Sequence, residues 1–134
     1  MAELRSQLTA VAKSDRGDVL EFEFAGTHDS THGSRMCNYI EERLTTAQVS
    51  AVIINLLGYE YEFGNDVFAL FLVGHRGGRD WLPICILARG KTRAAFESLL
   101  RAAQLGDLAD TMTFASSRAE ALGRFGATSS NESA

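Results

Sequence analysis

The run VSAVIINLL, from Val49 to Leu57, is an almost unbroken series of β-branched and aliphatic residues. A strand that projects apolar side chains in both directions must be covered on both faces, as happens in a parallel sheet packed between helices. The rest of the chain therefore has to supply parallel neighbours and covering helices. With 134 residues, 46% of them hydrophobic and 22% charged, it can bury one core and little more, so one globular domain is expected.

Patterns of period 2 and period 3.6 alternate on either side of that run. SQLTAVAKSD reads as a strand, Arg16-Gly17-Asp18 as a turn, and VLEFEFAG as a second strand in which Val19, Glu21 and Glu23 alternate with Leu20, Phe22 and Phe24. The pair reads as a hairpin with one buried face. Met36, Ile40 and Leu44 then recur at helical spacing, with Asp29 or Ser30 as the N-cap. After the central run, DVFALFLVG reads as a buried helix starting near Val67, capped by Asn65 or Asp66 and closed by Gly74, and HRGGRD as a turn. WLPICILA is the next buried strand, with Pro83 near an edge or bulge. Thr92 caps a helix carrying Phe96, Leu99, Leu100 and Ala103, which Gly106 ends. TMTFAS is a last strand, and Ser117 with Glu120 forms a capping box for a helix bearing Ala121, Leu122 and Phe125. The order ββαβαβαβα predicts an α/β fold: an open mixed sheet of about four to five strands with about four helices, spanning residues 1–126, followed by a disordered tail over 127–134.

Composition excludes several function classes. The net charge is −4 and the 13 basic residues are scattered singly, which argues against nucleic acid as a partner. No stretch approaches the roughly 18 apolar residues of a membrane span, and the N-terminus lacks the apolar core of a secretory signal, so a cytoplasmic protein is expected. Cys37 and Cys85 have no Cys or His beside them at metal-ligand spacing and read as reduced core residues.

The segment YEYEFGND, Tyr59 to Asp66, carries the strongest hint of a site. One reading is local: Tyr59, Tyr61 and Phe63 pack, Glu60 and Glu62 face water, and Asp66 satisfies helix N-terminal amides. A second makes it a partner-docking surface, since three acids and three aromatics are an ordinary interface mixture. A metal site from Glu60, Glu62 and Asp66 is disfavoured because hard cations usually draw more oxygen ligands from a dedicated loop. An anion or nucleotide bound at the helix N-terminus after Gly64 is the competing ligand-sensor reading, with the acidic flanks against it. The only catalytic-looking cluster is His28, Asp29 and His32, in a polar turn without a nearby nucleophile. No catalytic residue, cofactor or metal is expected.

Taken together, FEFAGTHDSTHGSRMCNYIEERL, VIINLLGYEYEFGNDVFALF, LARGKTRAAFESLLRAAQLGDL and FASSRAEAL resemble the successive units of the STAS domain, the family named for sulfate transporters and anti-sigma factor antagonists. Gly26 and Asp29 stand where that family has a Gly-x-x-Asp turn, and the resemblance covers roughly Ser6 to Phe125. It implies a stand-alone bacterial regulator that docks an anti-sigma factor or serine-kinase-type partner through the turn 59–66 and the helix after it. In the family, that turn usually carries an Asp followed by a phosphorylatable Ser or Thr. Here those positions are Phe63 and Gly64, followed by Asn65 and Asp66, and the Asp that usually ends the central strand is Asn55. The phospho-acceptor is thus absent. The expected partner-binding residues are Asp29, Glu60, Glu62, Gly64, Asn65 and Asp66, and a homodimer through a sheet edge is conceivable.

Overall fold

In the computed structural model the central run forms β3 (Val49–Asn55), and it is buried along almost its whole length. The structure describes residues 4–14, 17–27, 31–44, 49–61, 83–103, 112–126 and 128–129. The other elements are β1 (Arg5–Ser14), β2 (Gly17–Thr27), α1 (His32–Leu44), β4 (Tyr59–Glu60), β5 (Ile84–Leu87), α2 (Gly90–Ala103), β6 (Met112–Ala115), α3 (Arg118–Arg124) and β7 (Thr128–Ser129). The sheet is mixed, in the order β6-β5-β3-β2-β1-β7. β2, β3, β5 and β6 run parallel, whereas β1 pairs antiparallel with β2 and with β7. β4 extends the same edge of β2 beyond β3, matching Gly26 with Tyr59 and Thr27 with Glu60.

Alternation along the strands builds two cores. Leu20, Phe22, Phe24, Val52, Ile54, Ile84 and Ile86 face α1 and α2, where Met36, Cys37, Ile40 and Phe96 meet them. Val19, Ala51, Ile53, Cys85, Leu87 and Ala115 face the other way and are covered by Ala121 and Leu122 of α3. Each large apolar side chain so buried contributes roughly 1.5–3 kcal/mol. α3 starts as its sequence predicts: Ser117 is the N-cap, and its hydroxyl accepts from the Glu120 N–H at 3.2 Å. The Glu120 carboxylate reaches back one residue further than in a simple capping box, accepting from the Ser116 N–H at 3.1 Å.

Several expectations change. The β1–β2 hairpin does not have a single buried face: β2 lies inside the sheet between β1 and β3, and Glu21 on its second face is only 4% exposed. α2 begins at Gly90, whose φ of +59° suits a residue without a Cβ, so Thr92 lies inside the first turn and does not cap it. The Thr92 hydroxyl instead donates to the Tyr59 carbonyl at 3.0 Å and accepts from the Tyr61 N–H at 3.3 Å. The described residues hold three helices; the predicted helix near Val67 lies outside them. Thr128 and Ser129, assigned to the tail from sequence, pair with Lys13 and Ala12. Among the described residues no helix is long and apolar enough to cross a membrane.

Candidate functional site

Because β2, β3, β5 and β6 are parallel, their C-terminal ends lie along one edge of the sheet, the place where open α/β sheets usually present binding surfaces. Along this edge the chain emerges as Gly26-Thr27 from β2, Leu56-Leu57-Gly58 from β3, Ala88-Arg89 from β5 and Ser116-Ser117 from β6.

β4 holds the start of the segment 59–66. Leu56 closes a tight turn by accepting from the Tyr59 N–H at 3.0 Å, and the Gly26 N–H donates to the Gly58 carbonyl at 3.1 Å. Gly26 has φ +135°, a conformation that side chains other than hydrogen rarely tolerate, which accounts for glycine at this position. Tyr59 points inward, and its hydroxyl is hydrogen-bonded to Nδ1 of His32 at 3.0 Å. Tyr61 also points inward, its ring 4.8 Å from that of Phe96 on α2. Glu60, between them, is exposed. Leu57, 42% exposed, is the one large hydrophobic side chain displayed to solvent among the described residues. The alternation expected of aromatic-in and acid-out therefore holds for Tyr59, Glu60 and Tyr61.

A polar chain runs beneath this edge. The Arg118 Nε at the start of α3 donates to the Glu21 carboxylate, which also accepts from the Asn55 amide at 3.2 Å. Asn55 in turn accepts from the Leu57 N–H at 3.0 Å. Asn is the residue this position needs, because its amide donates to Glu21 while its carbonyl accepts from the backbone. A carboxylate here would face a second carboxylate. Asn55→Asp is accordingly expected to destabilise the fold by about 1–3 kcal/mol at neutral pH. Urea unfolding across pH should show the penalty shrinking on acidification, as protonation of either carboxyl removes the repulsion and restores a donor.

At the far end of the edge the Ser116 N–H holds Glu120 below the usual carboxylate pKa, and the Arg124 guanidinium adds to this at 2.9 Å. Burial pushes the Cys85 thiol up, outweighing its hydrogen bond with Thr113, and Cys37 is buried as well; both are free thiols.

Of the residues expected to bind a partner, Glu60 is described and exposed; Asp29, Glu62, Gly64, Asn65 and Asp66 lie outside the described residues, as do His28, His75 and the HRGGRD turn. His32 is not in a solvated turn: it is the first residue of α1, only 1% exposed and bonded to Tyr59. Among the described residues no group of three or more His, Cys, Asp or Glu could hold a metal ion. Sequence reasoning missed the Glu21–Arg118 pair, which joins residues 97 positions apart. The available signal was a glutamate in a strand flanked by apolar residues on both sides, which a strand inside a two-layered sheet must bury.

No family model matches the chain, and no curated protein matches it. Among solved structures, the crystal structure of a DUF3478-family protein from Shewanella loihica PV-4, described as having a SpoIIAA-like fold, aligns with a TM-score of 0.55 over 93% of this chain and 95% of that one, at 15% identity. At that identity the likeness speaks for the fold alone, and the chain has a STAS-like, SpoIIAA-like α/β fold.

Proposed function

We propose that the protein is a non-enzymatic, cytoplasmic regulatory module that docks an anti-sigma factor or a serine-kinase-type partner through the turn 59–66 and the segment following it. The observation that carries this reading is the presentation of Leu57 and Glu60 on the C-terminal edge of the sheet, with Tyr59 and Tyr61 anchored beneath them. An exposed aliphatic side chain beside a carboxylate, on a backbone held by buried hydroxyls and rings, gives a partner an apolar contact and a charge in fixed register. The SpoIIAA-like fold supports the same reading. Glu62 and Asp66 add negative charge in the same segment of sequence, and Gly64 stands where the resemblance places the phosphorylatable Ser or Thr, so the negative charge there comes from carboxylates and not from a phosphate at that position.

Calorimetric titration against an anti-sigma-type serine kinase tests the reading. Reversing Glu60, Glu62 and Asp66 together to lysine should weaken binding at least tenfold, mostly through a slower on-rate and with reduced salt dependence. Binding indifferent to all three reversals removes the surface from consideration. Stabilisation by a nucleotide or phosphometabolite in a thermal-shift screen would favour a ligand sensor in its place.

A further inference from the structure

We propose that Ser116 is a phospho-acceptor, and that Arg89 and Arg93 form the clamp for its phosphate. Ser116 leaves β6 at the C-terminal edge of the sheet and is exposed. Arg93, one turn into α2, already donates from its guanidinium to the Ser116 hydroxyl at 3.0 Å. Arg89, at the end of the β5 segment, donates from Nε to the Ser116 carbonyl at 2.6 Å. Two guanidinium groups from outside β6 thus converge on one exposed serine. Arg93 also holds Glu97 at 3.3 Å, with its guanidinium carbon 5.7 Å from the centre of the Phe114 ring.

The neighbouring hydroxyl is unsuited to the role. Ser117 already has its hydroxyl engaged as the cap of α3, accepting from the Glu120 N–H, and a phosphate there would be met by helix amides, not by the arginine pair. The carboxylates near Ser116 are Glu97, paired with Arg93, and Glu120, which accepts from the Ser116 N–H at 3.1 Å and is paired with Arg124. A phosphate carrying about −1.5 to −2 charges would displace Glu97 from Arg93 and draw Arg89 from the carbonyl onto its oxygens, since planar guanidinium groups match phosphate geometry. The chemistry is ordinary phosphoryl transfer from a nucleoside triphosphate bound to a serine kinase. The Ser116 Oγ forms a bond to the γ-phosphorus as the bond to the β-phosphate oxygen breaks; the hydroxyl proton passes to the kinase's base and the nucleoside diphosphate leaves. The proposal does not depend on the docking surface at Glu60.

The test compares full-length protein carrying phosphoserine, placed by genetic code expansion, at position 116 or at position 117. Phosphoserine at 116 should raise Tm, and its phosphorus-31 NMR titration should show the second pKa lowered by roughly 1 from the value near 6 of a free phosphoserine. Both effects should vanish in Arg89→Gln/Arg93→Gln, each change in Tm being read against the same protein without phosphate, whereas the effect of phosphoserine at 117 should depend far less on the two arginines. A Tm that falls or stays level at 116, or a phosphate pKa equal to that of an exposed peptide, overturns the clamp. Peptide mapping of the protein isolated from its own cells should find phosphate on Ser116; a peptide unmodified in both growing and stationary cells overturns the acceptor.

Discussion

Phe96→Ala is expected to cost about 3–5 kcal/mol of stability, measured by urea unfolding. Phe96 is completely buried, and it joins α2 to the larger core. Its ring lies against Tyr61 at 4.8 Å between centres, tilted by 55°, so truncation removes both apolar burial and an aromatic contact. The loss should be felt unevenly. Tyr61 is the last described residue before the segment 62–66, and it also depends on the Thr92 hydroxyl one helical turn away from Phe96. Hydrogen exchange at Tyr61 and Glu60 should therefore accelerate more than exchange within β3, where amides are shielded by the parallel ladder on both sides. Uniform acceleration across β3 and β4 would show that Phe96 supports the whole core and has no special role in holding Tyr61. If the proposed docking surface is correct, the same variant also binds its partner more weakly, although it leaves every exposed residue of the surface unchanged.

The second large effect concerns Arg118. Glu21 is nearly inaccessible to solvent, and Arg118, about one third exposed, is one of the groups that compensate its charge. Removing one partner of a buried pair costs several kcal/mol, because the remaining charge is left in a poor solvent. Solvent reaches the Arg118 side chain and reduces that figure, so Arg118→Ala should cost about 2–3 kcal/mol. In a Glu21→Gln background, where no charge is left uncompensated, the same substitution should cost less than about 1 kcal/mol. A double-mutant cycle in urea reads the difference directly. An equal penalty in both backgrounds would mean that Arg118 stabilises through packing of its aliphatic stem, not through Glu21. The pair joins α3 to β2, and through Asn55 and Leu57 it reaches the loop that feeds the candidate surface.

Local rules made some of this structure readable. The unbroken apolar run of β3 announced a strand covered on both faces, and Ser117 with Glu120 announced the start of α3, because both signals act over a few residues. Met36 and Ile40 likewise fall on the buried side of α1 at the spacing the sequence shows. The misread residues are those whose environment is set by distant parts of the chain. Glu21 looked solvent-facing because it is charged, and its partner lies on the last helix. His32 looked like part of a polar turn, yet its bonding partner is Tyr59, 27 positions on. Thr92 has the chemistry of an N-cap, but β4 runs past it and takes its hydroxyl for two backbone groups. For the candidate site, the alternation of Tyr59, Glu60 and Tyr61 was legible because period 2 is a property of the strand itself. Leu57 was not: its neighbours in the run are buried, and its own exposure arises from the turn that lets β4 take over the edge of β2 where β3 stops.

The placement of α3 also bears on how the protein is made. Synthesis delivers the chain N-terminus first, and domains generally fold as they emerge. The strands β2, β3, β5 and β6 are all complete before Arg118 appears, so Val19, Ala51, Ile53, Cys85 and Leu87 await the Ala121 and Leu122 that cover them. Among the described residues, that apolar face of a nascent chain paused at that stage stays uncovered until a seven-residue helix, α3, is released onto it. Slowing translation just before the codons for α3 is thus expected to lower the yield of folded protein.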